Sequence, residues 1–263
     1  ELAVGDIRDR SAVRDAVAGT DAIVHLAAVA SVQASVDDPL GTHETNMGGT
    51  LNLLEAARHG GIRRVIYASS AAVYGDTTEL PVAENSRLNP LSPYAADKLS
   101  GEHYLDFYGR KFGIAGTAFR FFNIYGPRQD PSSPYSGVIS IFVERLRERR
   151  PVTIFGDGRQ TRDFVYVGDL VEILERSLGH TAFAGQIMNV GRGVECSLLQ
   201  LLDELERLVG VAIERQHAPA RVGDIVRSRA AVDRLRTANG RLPKTELNAG
   251  LARLLQSVGL LHA

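Results

Sequence analysis

A phenol and an ammonium four residues apart, Tyr94 and Lys98, follow an apolar run that ends in two hydroxyls, Ser69 and Ser70. If Pro93 to Phe112 is a helix, Tyr94 and Lys98 share one face of it. The run Arg64-Val-Ile-Tyr-Ala68 reads as a strand, and its carboxyl end delivers the serines. A phenol that can accept a proton, a cation that favours its anion and a serine that can hold the reacting oxygen are the parts of a proton relay. The Tyr-x-x-x-Lys spacing describes equally well an aromatic packed beside a solvated lysine, so the surrounding pattern has to decide between them.

That pattern is an alternation. Glu1 to Asp6 reads as the tail of a strand, Asp9 to Val17 as a short amphipathic helix and Ala22 to Ala27 as a buried strand. A helix is expected around Pro39 to His59, stopped by Gly60-Gly61, then the strand at 64–69 and a polar loop from Gly75 to Asn89. The helix carrying Tyr94 ends at Gly113, and Gly116 to Phe122 is the next strand. Such alternation indicates parallel βαβ units in a doubly wound α/β sheet, where ligands bind beyond the strands' carboxyl ends. Asp6, Ala27-Ala28, Ser69-Ser70 and Asn123 all fall at such ends. Beyond Gly126-Pro127 the order loosens. Pro131 to Gly137 reads as a loop, Val138 to Arg149 as a helix, and Val152 to Phe155 as a strand before the turn Gly156-Asp-Gly158. Arg162 to Val167, Gln186 to Val190 and Ala212 to Glu214 are further expected strands, with helices at 169–178 and 197–209, a loop from Ala218 to Asp224 and two terminal helical stretches. This half suits a smaller α/β lobe.

The 263 residues suffice for one large α/β domain or two lobes with a sizeable core. A net charge of −1 argues against nucleic acid or an anionic membrane held by bulk charge. The basic run Arg145 to Arg150, interrupted by Glu148, reads as a solvated helix face. The single cysteine, Cys196, excludes an intrachain disulfide, fits a reducing cytoplasm and reads as an inert buried thiol; His25 reads as a core histidine. No leader or long apolar span is apparent, and the histidines show no metal-ligand spacing.

The motifs occur in a specific order. They are Gly5-Asp6-Ile7-Arg8-Asp9, His25-Leu-Ala-Ala28, Asn46 with Gly49-Thr-Leu-Asn-Leu-Leu-Glu-Ala56, Ser69-Ser70-x3-Tyr74-Gly75, Tyr94-x3-Lys98, Arg120-x2-Asn123-x2-Gly126-Pro127, Gly156-Asp-Gly158 with Arg162-Asp163, and Asn189-Val-Gly191. The chain resembles, over essentially its whole length, an extended short-chain dehydrogenase/reductase of the NAD-dependent epimerase/dehydratase family, closest to UDP-hexose 4-epimerases. The resemblance implies a Rossmann-like domain over 1–126 and 163–191 and a nucleotide-sugar lobe over 127–162 and 192–263. The family's Gly-x-x-Gly-x-x-Gly turn has no counterpart here. Glu1 to Asp6 already reads as the third strand, so about 60 residues, two βα units, are expected to precede it in a longer native protein.

By the same resemblance, Tyr94 is the base, Lys98 lowers its pKa and holds ribose hydroxyls, and Ser70 hydrogen-bonds the reacting oxygen. NAD would be lined by Asp6, Ile7, Leu26, Ala27, Ala28, Asn46, Ser69, Tyr94, Lys98 and Phe121. A UDP-sugar would meet Asn123, Val138, Thr153, Phe155, Arg162, Arg221 and Asp224. Ser228 stands at a gatekeeper position whose small size admits 2-acetamido sugars such as UDP-N-acetylglucosamine. Ala71 and Ala72 stand where dehydratase relatives carry an Asp-Glu pair, so elimination lacks its acid and base. The expected activity is UDP-glucose or UDP-N-acetylglucosamine 4-epimerisation by a homodimer paired through helices 43–58 and 94–112. The alternatives are a UDP-uronate epimerase and a non-catalytic nucleotide-sugar-binding protein.

Overall fold

The structure is a computed structural model that describes residues 1–130, 137–220 and 225–261. Two expected ligand contacts, Arg221 and Asp224, lie outside the described residues, as does most of the expected loop at 131–137. In chain order the elements are α1 (Arg10–Val17), β1 (Ala22–His25), α2 (Val32–Asp37), α3 (Pro39–His43), α4 (Gly49–His59), β2 (Arg64–Ser70), α5 (Pro93–Phe112), β3 (Ala115–Phe121) and β4 (Asn123–Tyr125). There follow α6 (Val138–Arg147), β5 (Val152–Phe155), β6 (Thr161–Arg162), β7 (Phe164–Tyr166), α7 (Val167–Gly179), β8 (Gln186–Val190), β9 (Cys196–Ser197), α8 (Leu198–Val209), β10 (Arg215–Ala218), α9 (Asp233–Asn239) and α10 (Leu247–Ser257).

These elements fall into two compact units. Unit 1 comprises Glu1–Gly75, Arg87–Phe121 and Ile173–Asn189; unit 2 comprises Asp76–Ser86, Phe122–Glu172 and Val190–Ala263. By this division residues 76–86, 122–126, 163–172 and 190–191 belong with unit 2, whereas the sequence boundaries put them in the first domain.

Unit 1 is built on a four-stranded sheet of order β1-β2-β3-β8, parallel in the β1–β2 and β2–β3 pairings. All five interior residues of β2 and of β3 are buried, which is the signature of parallel strands covered on both faces. Helix α5 starts and stops where the sequence says it should. Ser92 caps it by accepting from the Ala95 amide, Pro93 occupies its first turn, and Gly113 ends it in the left-handed region at φ 70°. Leu105 and Tyr108 of α5 pack with Val65, Tyr67 and Ala118 of the sheet and with Leu53, Leu54 and Ala57 of α4. The seating is close: a Cβ at Gly101 would fall 2.3 Å from the Tyr67 hydroxyl.

Three expectations for this unit change. Glu1 to Asp6 forms no strand and is exposed, since nothing among the described residues offers it a ladder partner. The helix expected over Pro39 to His59 is interrupted by a π-helical turn, Glu44–Gly48, between α3 and α4. The loop from Gly75 is preceded by a 3₁₀ turn, Ala71–Tyr74, capped by the Ser70 hydroxyl.

Unit 2 packs α6, α8 and α10 around β5 and β7 through Phe142, Ile154, Phe164, Leu201, Leu205 and Leu251. The single strand expected at Arg162 to Val167 is two strands with different partners. β6 pairs antiparallel with β9, β7 pairs parallel with β4, and fully buried Asp163 separates them. Likewise the strand expected at Ala212 to Glu214 begins later, as β10 beside β5; Ile213 is instead buried in the helical core. Among the described residues no helix is long and apolar enough to cross a membrane, and no cluster of residues could hold a metal ion.

His25, at the end of β1, is buried with its Nε2 2.9 Å from the Thr50 hydroxyl. Burial, reinforced by the charge of Lys98, pushes its pKa from 6.5 down to about 3. The folded chain therefore refuses a proton that the unfolded chain takes up below 6.5. The resulting stability is fully present above pH 6.5 and is lost, at about 1.4 kcal/mol per pH unit, as the pH falls towards 3. Urea denaturation at pH 7, 6 and 5 should show this acid-side slope in the wild type and a shallower one in His25→Gln; equal slopes would contradict it.

Candidate active site

The carboxyl ends of β1 and β2 and the first turns of α5 hold most of the residues expected to do chemistry. Ser70 is the last residue of β2, and its Oγ accepts from the Ala72 amide at 3.2 Å, so the 3₁₀ turn orients the hydroxyl. Tyr94 is half-buried near the start of α5. Burial pushes its pKa up, and the Ser70 hydroxyl is the group that pulls it down. Lys98 is buried, one turn along, and its Nζ donates to the Ala68 carbonyl at 2.8 Å and lies 5.8 Å from the centre of the Tyr94 ring. Burial lowers the lysine's own pKa to about 8, against support for its charge from Asp97. Asp97, also buried, shares a 2.6 Å hydrogen bond with His43 Nδ1.

This arrangement departs from one expectation. In the protein alone the ammonium is turned towards a carbonyl, and Tyr94 sits above its ordinary pKa, not below it. The desolvation that makes the pocket a good electrostatic environment opposes the phenolate, and added positive charge has to overcome it.

The expected cofactor residues sort into those that present surface and those that shape it. Leu26 and Ala27 are exposed and Ala28 half-buried just past β1. Asn46, from the π-helical turn, accepts from the Val29 amide at 2.7 Å and donates to the Val29 carbonyl at 3.1 Å. Its amide thus fixes the loop that follows β1. Ser69 points inward and donates to Glu102 at 2.5 Å, so its hydroxyl is not available to a ligand. Asp6 is exposed and held by the Arg8 guanidinium and amide, which keep its carboxyl at about 2. Ile7 packs on Gly49, and Phe121 ends β3 half-buried.

A buried polar network lies beneath these groups. Arg120 of β3 donates to both carboxylate oxygens of Glu102, at 2.9 and 2.7 Å, and to the Tyr74 hydroxyl at 2.9 Å; Tyr74 in turn donates to Asn189 at 2.6 Å. Burial alone would lower the pKa of Arg120, but the Glu102 carboxylate outweighs it and the net shift is upward. Sequence reasoning assigned Glu102, Arg120, Tyr74 and Asn189 no role. The available signal was an arginine inside the apolar run Thr-Ala-Phe-Arg-Phe-Phe, which needs an anionic partner once buried, and a glutamate four residues beyond Lys98.

In unit 2, a cavity of about 420 Å³ is lined by Asn123, Val138, Thr153, Phe155 and Arg162, five of the expected substrate contacts. Ile141, Arg145, Gln160 and Leu198 also line it. Arg145 is therefore a cavity residue, not part of a solvated face: at i+7 from Val138 it continues the helical stripe of Val138, Ile141 and Phe142. Asp163 organises the neighbourhood. Its carboxylate accepts from the amides of Arg192, Gly193 and Ala230, and its carbonyl accepts from the Asn123 amide at 3.0 Å. Arg162 donates through one nitrogen to the carbonyls of Thr161 and Ile225. Ser228 does not line this cavity; it is half-buried, its amide 3.4 Å from the Thr161 hydroxyl. Cys196 is half-buried with its pKa raised to about 11 by burial, an unreactive thiol.

Comparison with known proteins places the chain in a family. The family model described as NAD dependent epimerase/dehydratase family matches residues 1–191. A UDP-glucose 4-epimerase of Mycolicibacterium smegmatis is 42% identical over 237 residues, covering 90% of this chain and 75% of the relative. The solved UDP-N-acetylglucosamine 4-epimerase of Methanobrevibacter ruminantium, in complex with UDP-N-acetylmuramic acid, superposes with TM-score 0.92 at 31% identity, covering 97% of this chain and 81% of that one. The Thermus thermophilus UDP-glucose 4-epimerase, in complex with NAD, gives TM-score 0.87 at 39% identity, covering 95% and 81%. The unit 1 residues fit NAD: Ala27 and Ala28 leave loop backbone open, Asn46 fixes that loop, Leu26 offers an apolar contact and Lys98 a cation.

Removing one member of the buried pair strands the other. Glu102→Ala should cost about 3–5 kcal/mol in urea denaturation, while a Glu102→Gln, Arg120→Met double variant should recover part of that loss. A single variant as stable as the wild type would deny the pair its structural role.

Proposed function

The chain belongs to the NAD dependent epimerase/dehydratase family, and on that footing we propose that it interconverts UDP-hexoses epimeric at C4 through a transient 4-keto sugar. The observation that carries this reading is the set Ser70, Tyr94 and Lys98 with Ala71 and Ala72 beside it: a proton relay with alanine at the two positions where an acid and a base for elimination are expected. Unit 1 is the NAD-binding part and unit 2 the nucleotide-sugar-binding part, with Asn123 and Arg162 on the diphosphate and Thr153 to Phe155 along uracil.

NAD, when bound, accepts hydride from C4 and returns it to the opposite face. Everything else falls to the chain. Tyr94 as phenolate takes the proton of the 4-hydroxyl while the C4–H electron pair leaves as hydride, and it hands the proton back when hydride returns. Ser70, oriented by the Ala72 amide, holds the reacting oxygen and stabilises the phenolate. Lys98 remains mostly protonated at neutral pH, since its pKa is about 8, and Asp97 supports that charge. Lys98 together with the oxidised cofactor would supply the positive charge needed to outweigh the burial of Tyr94. Asn46 keeps the cofactor loop in place, and Leu26, Ala27 and Ala28 of that loop face the cofactor.

Homodimerisation is part of this proposal. Tyr104 and Phe107 stand exposed on α5, in one of the two helices expected to pair.

Tyr94→Phe should lower kcat for UDP-glucose/UDP-galactose interconversion by about 10²–10⁴-fold while UDP binding persists; near-wild-type turnover would exclude Tyr94 as the base. Ser228 bears on substrate breadth. Its small side chain leaves room for a 2-acetamido group, so Ser228→Tyr should reduce the kcat/KM ratio of UDP-N-acetylglucosamine to UDP-glucose by about tenfold or more, the effect of a 1–3 kcal/mol steric discrimination. An unchanged ratio would remove Ser228 from specificity.

A further inference from the structure

Helix α6 turns a mixed face to the unit 2 cavity: Val138 in its first turn, Ile141 in the middle, and Arg145 seven residues on, about 10 Å further along the axis. The four arginines around its end differ in how they are held; Arg149 is exposed and has no carboxylate partner among the described residues. Arg147 pairs with Glu144 at 2.6 Å and Arg150 with Glu148 at 3.2 Å, the usual arrangement of a solvated face. Arg145 makes no ion pair or side-chain hydrogen bond among the described residues, and it is half-buried against the cavity. Among the described residues no carboxylate lines that cavity. A guanidinium carries five donors and accepts nothing, so ligand oxygens that displace water from the cavity, or an aromatic face, would suit it.

The cavity has two chemically distinct ends. Val138, at the start of α6, belongs to the end where backbone amides and the helix dipole favour anions. Arg145 lies the length of a nucleoside away from it. The apolar surface that Arg145 adjoins includes Ile141, which is 42% exposed, and Phe155 stands at the end of β5; both suit a flat ring. With the diphosphate at the Val138 end, as the proposed function has it, the ring at the other end is the nucleobase.

We propose that Arg145 reads the nucleobase, donating to a carbonyl oxygen of a uracil-type ring held along Ile141 and Phe155. This inference rests on the nucleotide-sugar reading of the cavity and adds the residue that recognises the base. It also gives a reason why the one arginine of the run that lines the cavity is left without a carboxylate: an internal partner would compete with the ligand.

Isothermal titration of the wild type, Arg145→Gln and Arg147→Gln with UDP, uridine and inorganic pyrophosphate tests it. Arg145→Gln should weaken UDP and uridine alike by about tenfold and leave pyrophosphate unchanged, while Arg147→Gln matches the wild type throughout. Loss with UDP and pyrophosphate but not uridine would overturn the proposal by making Arg145 a phosphate contact. Affinities unchanged for all three would overturn it by returning Arg145 to the solvated face. Wild-type protein that binds uridine in an Arg145-dependent way yet turns over no UDP-sugar would sink the epimerase reading and keep this one; wild-type protein that binds none of the three would sink both.

Discussion

The site in unit 1 depends on one buried ion pair. Arg120 and Glu102 are almost wholly withdrawn from water, and each would be costly there without the other. Both are satisfied because four elements meet around them: β2 through Ser69, β3 through Arg120, α5 through Glu102, and β8 through Asn189 by way of Tyr74. Glu102 lies one turn beyond Lys98, which lies one turn beyond Tyr94, so the contact that holds Glu102 also fixes the rotation of α5. Ser69 immediately precedes Ser70, so the same contact fixes the end of β2. Phenol, ammonium and hydroxyl are thereby placed by a network that none of them joins. Apolar packing alone would leave the helix freer to turn or slide, because dispersion is not directional.

Unit 2 solves its own placement problem in a related way. Asp163 gives its carboxylate to three backbone amides from two distant segments, and its carbonyl to the amide of Asn123. Burial raises its pKa, and those amides work against the rise. The loop at 191–193, the residues after Ser228, and the start of β4 are gathered on one side chain, with Arg162 its immediate neighbour. A buried charged or polar hub is thus used twice, each time next to side chains that have chemistry to do.

Much of this was legible in the sequence. The caps of α5, the alternation of strands and helices and the Tyr94-Lys98 spacing are local patterns with local causes, and the structure follows them. The misreadings share a cause of another kind. Whether Glu1 to Asp6 is a strand depends on a partner elsewhere; Arg162 to Val167 divides because its halves pair with β9 and β4; the direction of Ser69 is set by a glutamate on a helix; and Arg145 differs from Arg147 only in which way α6 faces. The shift of Tyr94 was misjudged for the same reason, since the effect of Lys98 depends on where its ammonium points. Periodicity reports a residue's surroundings on average, and these residues are decided by one particular neighbour.

The π-helical turn at Glu44–Gly48 shows how far such a decision can reach. One extra residue in a helix rotates everything after it by about 100°. The faces of α3 and α4 are therefore out of phase, and the apolar stripe of Leu53, Leu54 and Ala57 does not extrapolate back to Pro39. The added residue also creates a wide turn from which Asn46 can reach Val29 with both ends of its amide. Deleting a single position within that turn would give a more regular helix by every local rule. It would also swing Asn46 off the loop after β1, unfastening the floor on which a dinucleotide would lie. Irregularity here is a matter of reading frame: the helix carries one letter too many for its own geometry, and the loop takes its shape from that letter.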